Sequence, residues 1–167
     1  MSAKIPNRRQ RIFHLADIEP RVVAAVLAGH SKSNDDNLVT LTIGLGCVAS
    51  GMTIHAACFH EYLERMFGHC FGWLMALGEK MPFDKINAER ERQEKLFRTG
   101  KILFNVASTT PDVKRKLRVL VEEVGEVAQA IDLLESGHRQ TRLKHLREEL
   151  VQVAAVCVAW LESLEAK

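Results

Sequence analysis

Acidic side chains interrupt the apolar pattern of this chain at two places. Glu122, Glu123 and Glu126 stand in the stretch VEEVGEV, and Glu149 and Gln152 follow later at an i, i+3 spacing. Residues three or four positions apart share one face of a helix, so each group can form a single patch. Clustered carboxylates repel one another and are costly to bury unless a cation compensates their charge. Mg²⁺ suits this chemistry, because it prefers oxygen ligands and bridges carboxylates to substrate phosphates.

Two helices are predicted to carry these groups. Apolar residues recur at spacings of three and four over 117–134 and again over 146–161, which is typical of amphipathic helices. The second helix is expected to span about 142–165. If a short polar turn joins the two helices in an antiparallel hairpin, the two acidic patches face each other about midway along it. Each patch taken alone also fits an exposed acidic face, and both interpretations stay open at this point.

Residues typical of helix ends mark where the first of these helices begins and ends. Thr110 is predicted to be its N-cap and Pro111 its first residue, because both suit those positions. Gly137 is predicted to end it in the left-handed conformation. Gly125 lies inside the helix, where glycine costs about 0.8–1 kcal/mol relative to alanine. We therefore expect another helix or a ligand to approach closely at Gly125.

A further amphipathic helix is predicted over 84–104, with Asp84 as its N-cap. Its charged run over 89–95 is interpreted as a solvated face. Together the elements predict an all-α helical bundle. Residues 154–159 are apolar almost all round, and a helix of that kind needs neighbours on several sides. We therefore expect a homo-oligomer to complete the bundle.

Charge is distributed unevenly along the chain. Residues 1–80 carry 8 basic and 7 acidic side chains, whereas residues 81–167 carry 15 and 14. The stretch MPFD at 81–84 is taken as the boundary between an N-terminal accessory segment, expected to be helical, and a second domain. Within the segment, 31–37 is predicted to be a polar loop. Residues 38–59 contain no charge, but their threonines and glycines favour a buried helix or strand pair over a membrane span.

Five potential zinc ligands lie in the N-terminal segment: His55, Cys58, His60, His69 and Cys70. The first two would share a helix face. A structural zinc site needs four converging ligands, however, and no second pair has the required spacing. These residues are therefore interpreted as core residues.

Composition narrows the classes of function. The 167 residues are 47% hydrophobic and 26% charged, and the formal net charge is +2. The apolar fraction excludes a disordered or low-complexity chain, and the balanced charge gives no indication of a nucleic-acid polymer as partner. Four cysteines without a repeated CxxC are typical of reduced thiols in a cytoplasmic protein.

The stretch LVEEVGEVAQAID at 120–132, with ELVQ at 149–152 following 22 residues after Glu126, resembles the all-α MazG-like nucleotide pyrophosphohydrolases. The pattern of that family is Glu-Glu-x-x-Glu, a variable spacer, and Glu-x-x-Asp. The upstream run ERERQ at 89–93, with Leu-Phe after it, is similar to the first helix of one branch of the family. The resemblance covers roughly residues 84–165.

The resemblance implies a bundle of the all-α NTP pyrophosphatase type that forms a dimer or tetramer. It implies hydrolysis of a nucleoside triphosphate, or a related nucleotide, to the monophosphate and pyrophosphate with Mg²⁺, or alternatively Mn²⁺. The residues that it assigns to metal binding are Glu123, Glu126, Glu149 and Gln152. It makes Glu122 a further ligand or the base that orients the attacking water, and Gln93 and Phe97 contacts to the nucleotide.

Gln152 stands where the family pattern has aspartate. A glutamine carbonyl oxygen can coordinate a metal but brings no negative charge, so the metal affinity is expected to fall. Two alternatives to an active enzyme follow from this. One is a MazG-like regulatory module that binds nucleotide or metal with weakened or lost catalysis, and the other is a structural helical oligomerisation protein.

Overall fold

The computed structural model describes residues 33–54, 56–109, 112–134 and 139–165, apart from the side chains of 53–58 and 139. Five helices account for most of these residues: α1 (Asn34–Ile54), α2 (Ala56–Ala76), α3 (Pro82–Arg98), α4 (Val113–Leu134) and α5 (Arg139–Glu165). No strand occurs among the described residues, so the predicted all-α fold is confirmed for this part of the chain. The features predicted at Thr110, Pro111 and Gly137 lie outside the described residues.

The first helix begins inside the predicted polar loop, so the prediction of a loop over 31–37 is wrong for its last residues. Ser33 starts the helix with a reciprocal cap. Its hydroxyl accepts from the amide of Asp36 at 3.2 Å and donates to the carboxylate of the same residue at 2.8 Å. The described residues of the charge-free run, 38–54 and 56–59, are helical, but the prediction that this run is buried is wrong for α1, where Val39 and Ile43 are 59% and 62% exposed. None of the described helices combines the length and apolar character that crossing a membrane requires.

A close helix–helix approach joins α1 to α2. A side chain at Gly44 would place its Cβ only 2.8 Å from Met66 Cγ, so the glycine is what allows the two helices to pack this tightly. From the other side, α2 packs on α5, and the rings of Phe59 and Trp160 meet edge to face with their centroids 4.9 Å apart. The hairpin of α1 and α2 therefore packs against the rest of the fold through the contact of α2 with α5.

The last helix, α5, lies at the centre of the bundle, packed against α2, α3 and α4. All side chains over 153–161 are buried. The apolar character of 154–159 is therefore explained by neighbours within one chain, because α2 covers the side that we expected a second protomer to cover. The prediction of a homo-oligomer loses this observation and rests on the family resemblance.

The boundary predicted at 81 lies in the turn that joins α2 to α3. Helices on both sides of this turn contribute to one hydrophobic core, which includes Leu63 and Leu74 before the turn and Ile86, Leu120 and Leu150 after it. Residues 33–76 therefore pack on the helices after the turn through this shared core, apart from the positions outside the description.

The limits of α3 differ from those predicted. The helix begins at Pro82, so Asp84 lies within the first turn and is not the N-cap. It ends at Arg98 and not at 104, because Gly100 adopts a φ of +70° and its amide donates to the carbonyl of Phe97 at 3.0 Å. A left-handed glycine just past the last turn is a common helix stop.

The helix that carries Glu122, Glu123 and Glu126, α4, is capped by Asp112, whose Oδ1 accepts from the amide of Arg115 at 3.0 Å. Its core face includes Leu120, Val124 and Val127. Gly125 is exposed, and a Cβ built there would meet nothing within 4 Å. The close approach predicted at this glycine is therefore wrong within the chain.

The cysteines described with their side chains are free. Cys70 and Cys157 are buried, and Cys47 is partly buried. Desolvation raises the pKa of Cys157 to about 12 and that of Cys70 well above its ordinary value. Such thiols stay protonated at neutral pH and behave as small apolar core residues.

The potential zinc ligands do not form a site in the described part of the chain. His69 is buried with its Nε2 3.1 Å from the carbonyl oxygen of Asn37, and His60 lies beside Glu64. His55 and the side chain of Cys58 lie outside the description. The interpretation as core residues is confirmed for His69 and Cys70.

Candidate functional site

Three glutamates converge between α4 and α5. Glu123 and Glu126 lie one turn apart on α4, and Glu149 lies opposite them on α5, with one carboxylate oxygen of each within 4.8 Å of the others. We call this group the acidic cluster. The i, i+3 spacing puts the first two on one side of α4, and the short connection between the helices brings α5 alongside. No other group of three His, Cys, Asp or Glu in the described residues converges in this way.

Proximity within the acidic cluster changes its acid–base properties. Burial, followed in decreasing order by the charges of Glu126, Glu149, Glu122 and Glu89, raises the pKa of Glu123 to about 7. Burial also raises the pKa of Glu149, followed by its hydrogen bond to Glu126 and the charge of that residue. Such shifts are frequent where carboxylates are gathered for function.

The acidic cluster is electrostatically uncompensated within the described residues. Oε2 of Glu123 is buried and has no hydrogen-bond donor there. Glu126 lies close enough to Glu149 to raise the pKa of Glu149 through its side-chain contact and its charge. A cation would offset this repulsion and provide a partner for the unpaired oxygen of Glu123.

The donor set fits a hard divalent ion. The carboxylate oxygens of the acidic cluster lie within 4.8 Å of one another, so three hard oxygen donors are available to one ion. Ligands that are all carboxylates favour Mg²⁺ or Mn²⁺ over softer metals. These residues could hold the metal that the sequence predicts.

Two neighbours on α5 support Glu149. Nδ1 of His145 lies 3.2 Å from its Oε1, and the amide nitrogen of Gln152 donates to its Oε2 at 2.5 Å. The charge of His145 and the hydrogen bond from Gln152 lower the pKa of Glu149 and so oppose the effect of burial. Gln152 thus presents its nitrogen, not its carbonyl oxygen, to the acidic cluster. The prediction that Gln152 binds the metal stays a prediction.

Glu122 lies at the edge of this arrangement. Its side chain is exposed and does not belong to the converging group, although its charge contributes to the raised pKa of Glu123. An exposed carboxylate next to the acidic cluster remains accessible to water. Its predicted role as a ligand or base is not decided by this placement.

A hydrogen-bonded network on α3 faces the acidic cluster. Glu89 accepts from Nε and Nη2 of Arg92 at 2.6 and 2.7 Å and from the amide of Gln93 at 3.0 Å. Gln93 accepts in turn from Arg90, whose Nη2 donates to Glu162 on α5 at 2.8 Å. Arg90 is buried and Glu89 is only 12% exposed, so the network fixes one face of α3 against α5.

The run over 89–95 is therefore not a uniformly solvated face. Glu89 and Arg92 both interact electrostatically with Glu123. The negative charge of Glu89 raises the pKa of Glu123. The pKa of Arg92 is raised mainly by its hydrogen bond to Glu89 and to a smaller extent by the charge of Glu123. Gln93, predicted to contact the nucleotide, holds Glu89 in this structure. Phe97, the other predicted contact, is 40% exposed and lies outside the cleft described next.

A cleft of about 560 Å³ opens beside the acidic cluster, between α3 and α5. Its volume falls within the usual range for small-molecule sites. The basic residues that line it are Lys85, Arg92, Lys144 and Arg147. Glu89, Glu148, Glu149 and Gln152 line it as well, so basic residues outnumber acidic ones by four to three and the cleft reaches the acidic cluster at Glu149.

The sequence analysis did not identify Glu89 or these basic residues as part of a site. A signal was present: Lys85, Glu89 and Arg92 are spaced by four and three, which places them on one face of α3. That spacing alone does not say which way the face points. The direction depends on the pairing of Arg90 with Glu162, which is distant in sequence.

The chain has no significant match among protein-family models, curated proteins or solved structures. The resemblance to MazG-like enzymes therefore rests on the order and spacing of the motif. Function has to be argued from the geometry of the acidic cluster and the cleft.

Proposed function

We propose that this protein hydrolyses a nucleoside triphosphate, or a related nucleotide, to the monophosphate and pyrophosphate with Mg²⁺ or Mn²⁺. The observation that carries the proposal is the convergence of Glu123, Glu126 and Glu149, with a buried oxygen of Glu123 unpaired, next to a cleft with a basic lining. Carboxylates that hold a metal and cations that hold phosphates are the two requirements of phosphoanhydride hydrolysis.

In this reaction a water oxygen forms a bond to the α-phosphorus while the bond from that phosphorus to the bridging oxygen breaks, and pyrophosphate leaves. A divalent ion at the acidic cluster would supply charge neutralisation and a lowered pKa of bound water. In the proposed reaction Glu122, which is exposed beside the acidic cluster, would accept the proton of the attacking water. The network from Glu162 to Glu89 keeps α3 in place on the far side of the cleft.

A second candidate function is a MazG-like module that binds metal or nucleotide with weak or lost turnover. The observation that favours it is the hydrogen bond from Gln152 to Glu149. An amide at this position neutralises part of the charge of Glu149 and adds none of its own, so the acidic cluster attracts a cation less strongly than four carboxylates would. This candidate predicts binding without products.

Product analysis with a panel of canonical and modified nucleoside triphosphates and Mg²⁺ tests the proposal. We expect monophosphate and pyrophosphate from the wild-type protein and a loss of at least about a hundredfold in Glu126→Gln. Glu91→Gln is a matched control, because Glu91 is an exposed residue of α3 that does not line the cleft. Release of orthophosphate alone, or full activity of Glu126→Gln, would contradict the proposal.

The third alternative, a structural oligomerisation protein, makes a different prediction. It expects neither products nor any change in thermal stability on adding Mg²⁺. We propose from the resemblance alone that the bundle is of the all-α NTP pyrophosphatase type and forms a dimer or tetramer. Light scattering measures the mass directly, and a monomer at working concentration would contradict self-association.

A further inference from the structure

Arg147 differs from the other basic residues of the cleft in its ion pairing. Arg92 pairs with Glu89, Lys144 lies 3.5 Å from Glu148, and Lys85 pairs with a carboxylate outside the cleft. Arg147 makes no salt bridge within the described part of the chain. Its Nε is buried without a hydrogen-bond partner there, so its guanidinium is incompletely used by the protein.

The turn between α2 and α3, residues 77–81, provides a hydrogen-bond acceptor for Arg147. Nη2 of Arg147 donates to the carbonyl oxygen of Leu77. Gly78, which follows, has a φ of +80°, and a Cβ there would lie 3.7 Å from the same nitrogen. Leu77 directly follows Ala76, the last residue of α2, and the dipole at the C-terminal end of a helix favours a cation. The guanidinium is therefore anchored at one nitrogen while it lines the cleft.

The same turn holds a second cation. Lys85 donates to Oε2 of Glu79 at 2.5 Å, and the amide of Met81 donates to Oε1 at 3.4 Å. Although burial raises the pKa of Glu79, its contacts with Lys85 and Met81 and the charge of Arg147 lower it overall, which shows that both cations act on one carboxylate. Glu79 thereby pairs directly with Lys85 and lies near enough to Arg147 for that charge to act on it, without a salt bridge between them.

We propose that Lys85, Lys144 and Arg147 form a subsite for the phosphate chain of the substrate, and that the turn at 77–81 positions it. The inference rests on the proposed function and deepens it. A triphosphate whose metal is held at the acidic cluster has to extend along the adjoining cleft, where an arginine fork matches two phosphate oxygens and the lysines add point charges. These cations bind the phosphate chain in the ground state and in the transition state alike, so their contribution is expected in KM.

The lining of the cleft also indicates what is recognised. None of its lining residues within the described ranges is aromatic, so no ring is present there to stack on a base. The basic groups recognise phosphate, which all nucleoside triphosphates share. The subsite therefore takes inorganic tripolyphosphate with Mg²⁺ as well as it takes a nucleotide.

Calorimetric titration with inorganic tripolyphosphate and Mg²⁺ tests the subsite without turnover. We expect Arg147→Leu to weaken tripolyphosphate binding by about tenfold or more, because charge-assisted hydrogen bonds to phosphate are lost. Arg98→Leu should bind as the wild type does, since Arg98 is 74% exposed, pairs with Glu94 and lies outside the cleft. The affinity for Mg²⁺ alone should stay within about twofold in both variants.

Two further variants keep the inference testable if Arg147→Leu does not fold. Arg147→Lys retains the charge but loses the fork, so it should give an intermediate loss of tripolyphosphate affinity. Glu79→Gln should raise the KM for the nucleotide several-fold with little change in kcat, because it loosens Lys85 and Arg147 without touching the acidic cluster. A loss confined to kcat would show that the turn does not position a binding subsite.

The outcomes separate this inference from the proposed function. Wild-type affinity for tripolyphosphate in Arg147→Leu and Arg147→Lys, or an equal loss of Mg²⁺ affinity in both, overturns the subsite even if nucleotides are hydrolysed. No binding of tripolyphosphate to the wild-type protein overturns it as well. Arginine-dependent binding without hydrolysis supports the subsite and contradicts the proposed enzyme activity.

Discussion

Replacing Glu123 with glutamine should stabilise the metal-free protein at alkaline pH. Burial and neighbouring carboxylates raise the pKa of Glu123 from 4.5 to about 7 in the folded state. Below the unfolded pKa the residue is protonated in both states and costs nothing. As the pH rises towards the folded value, the unfolded state ionises first, so the wild-type protein progressively loses stability and the loss levels off above about pH 7.

The size of the effect follows from the same values. Each factor of ten in acidity corresponds to about 1.4 kcal/mol, so the full shift of Glu123 amounts to about 3 kcal/mol. Partial solvent exposure of its carboxylate reduces the expected effect to about 1–2 kcal/mol. Glutamine has nearly the shape of the protonated acid and cannot ionise. The stability advantage of Glu123→Gln should therefore be near zero at about pH 4 and reach about 1–2 kcal/mol at about pH 8.

Chemical denaturation in a chelating buffer, at several pH values, measures this difference. Adding Mg²⁺ at about pH 8 should restore the stability of the wild-type protein, because a cation offsets the repulsion between the carboxylates. It should leave the stability of Glu123→Gln nearly unchanged. Glu91→Gln serves as the control with an exposed carboxylate. If Glu123→Gln were less stable than the wild type at alkaline pH, or its advantage did not vary with pH, the raised pKa of Glu123 would not explain the acidic cluster.

Three other perturbations address separate parts of the structure. Gln152→Asp should destabilise the metal-free protein, since it removes a donor to Glu149 and adds repulsion, while raising the Mg²⁺ affinity seen by calorimetry; unchanged Mg²⁺ affinity would contradict this. A chain that begins at Met81 should lose cooperative thermal unfolding, because it uncovers the face of α5 around Trp160 that α2 covers. A soluble fragment with a sharp transition would contradict that expectation. Gly125→Ala should stabilise a monomer by up to about 1 kcal/mol, whereas a loss of stability that depends on protein concentration would place a subunit contact at that residue.

The acidic cluster could be predicted because its information is local. The spacing of Glu123 and Glu126 fixes their relation within any helix, and a short link between α4 and α5 brings Glu149 to the same level. The apolar stripes of these helices are regular, so their existence followed from periodicity. The core face of α4 at Leu120 and Val124 is the stripe that the sequence shows.

The contribution of α3 could not be predicted in the same way. Its run of alternating charges has the pattern of a solvated helix, and nothing local separates Arg90, which is buried, from Arg92, which is 55% exposed. The pairing of Arg90 with Glu162 decides the orientation of the helix, and it joins residues 72 positions apart. Packing between distant segments also explains why α5 does not need a second protomer to bury 154–159.

Gln152 affects the metal affinity of the acidic cluster, and the metal affinity bears on whether the protein is an enzyme or a binding module. An aspartate at this position would add another carboxylate to a cluster in which Glu123 is already hard to ionise. The amide instead donates a hydrogen bond to Glu149, which opposes the rise in the pKa of that residue. Repulsion within the metal-free acidic cluster is therefore smaller, and binding a cation relieves less of it. Weaker metal binding lowers occupancy at a given Mg²⁺ concentration but does not remove the carboxylates that would orient the ion. Turnover that saturates only at high Mg²⁺ would therefore fit an enzyme with this substitution, whereas nucleotide binding that is indifferent to Mg²⁺ would contradict the enzyme and fit a module that binds nucleotide without turnover.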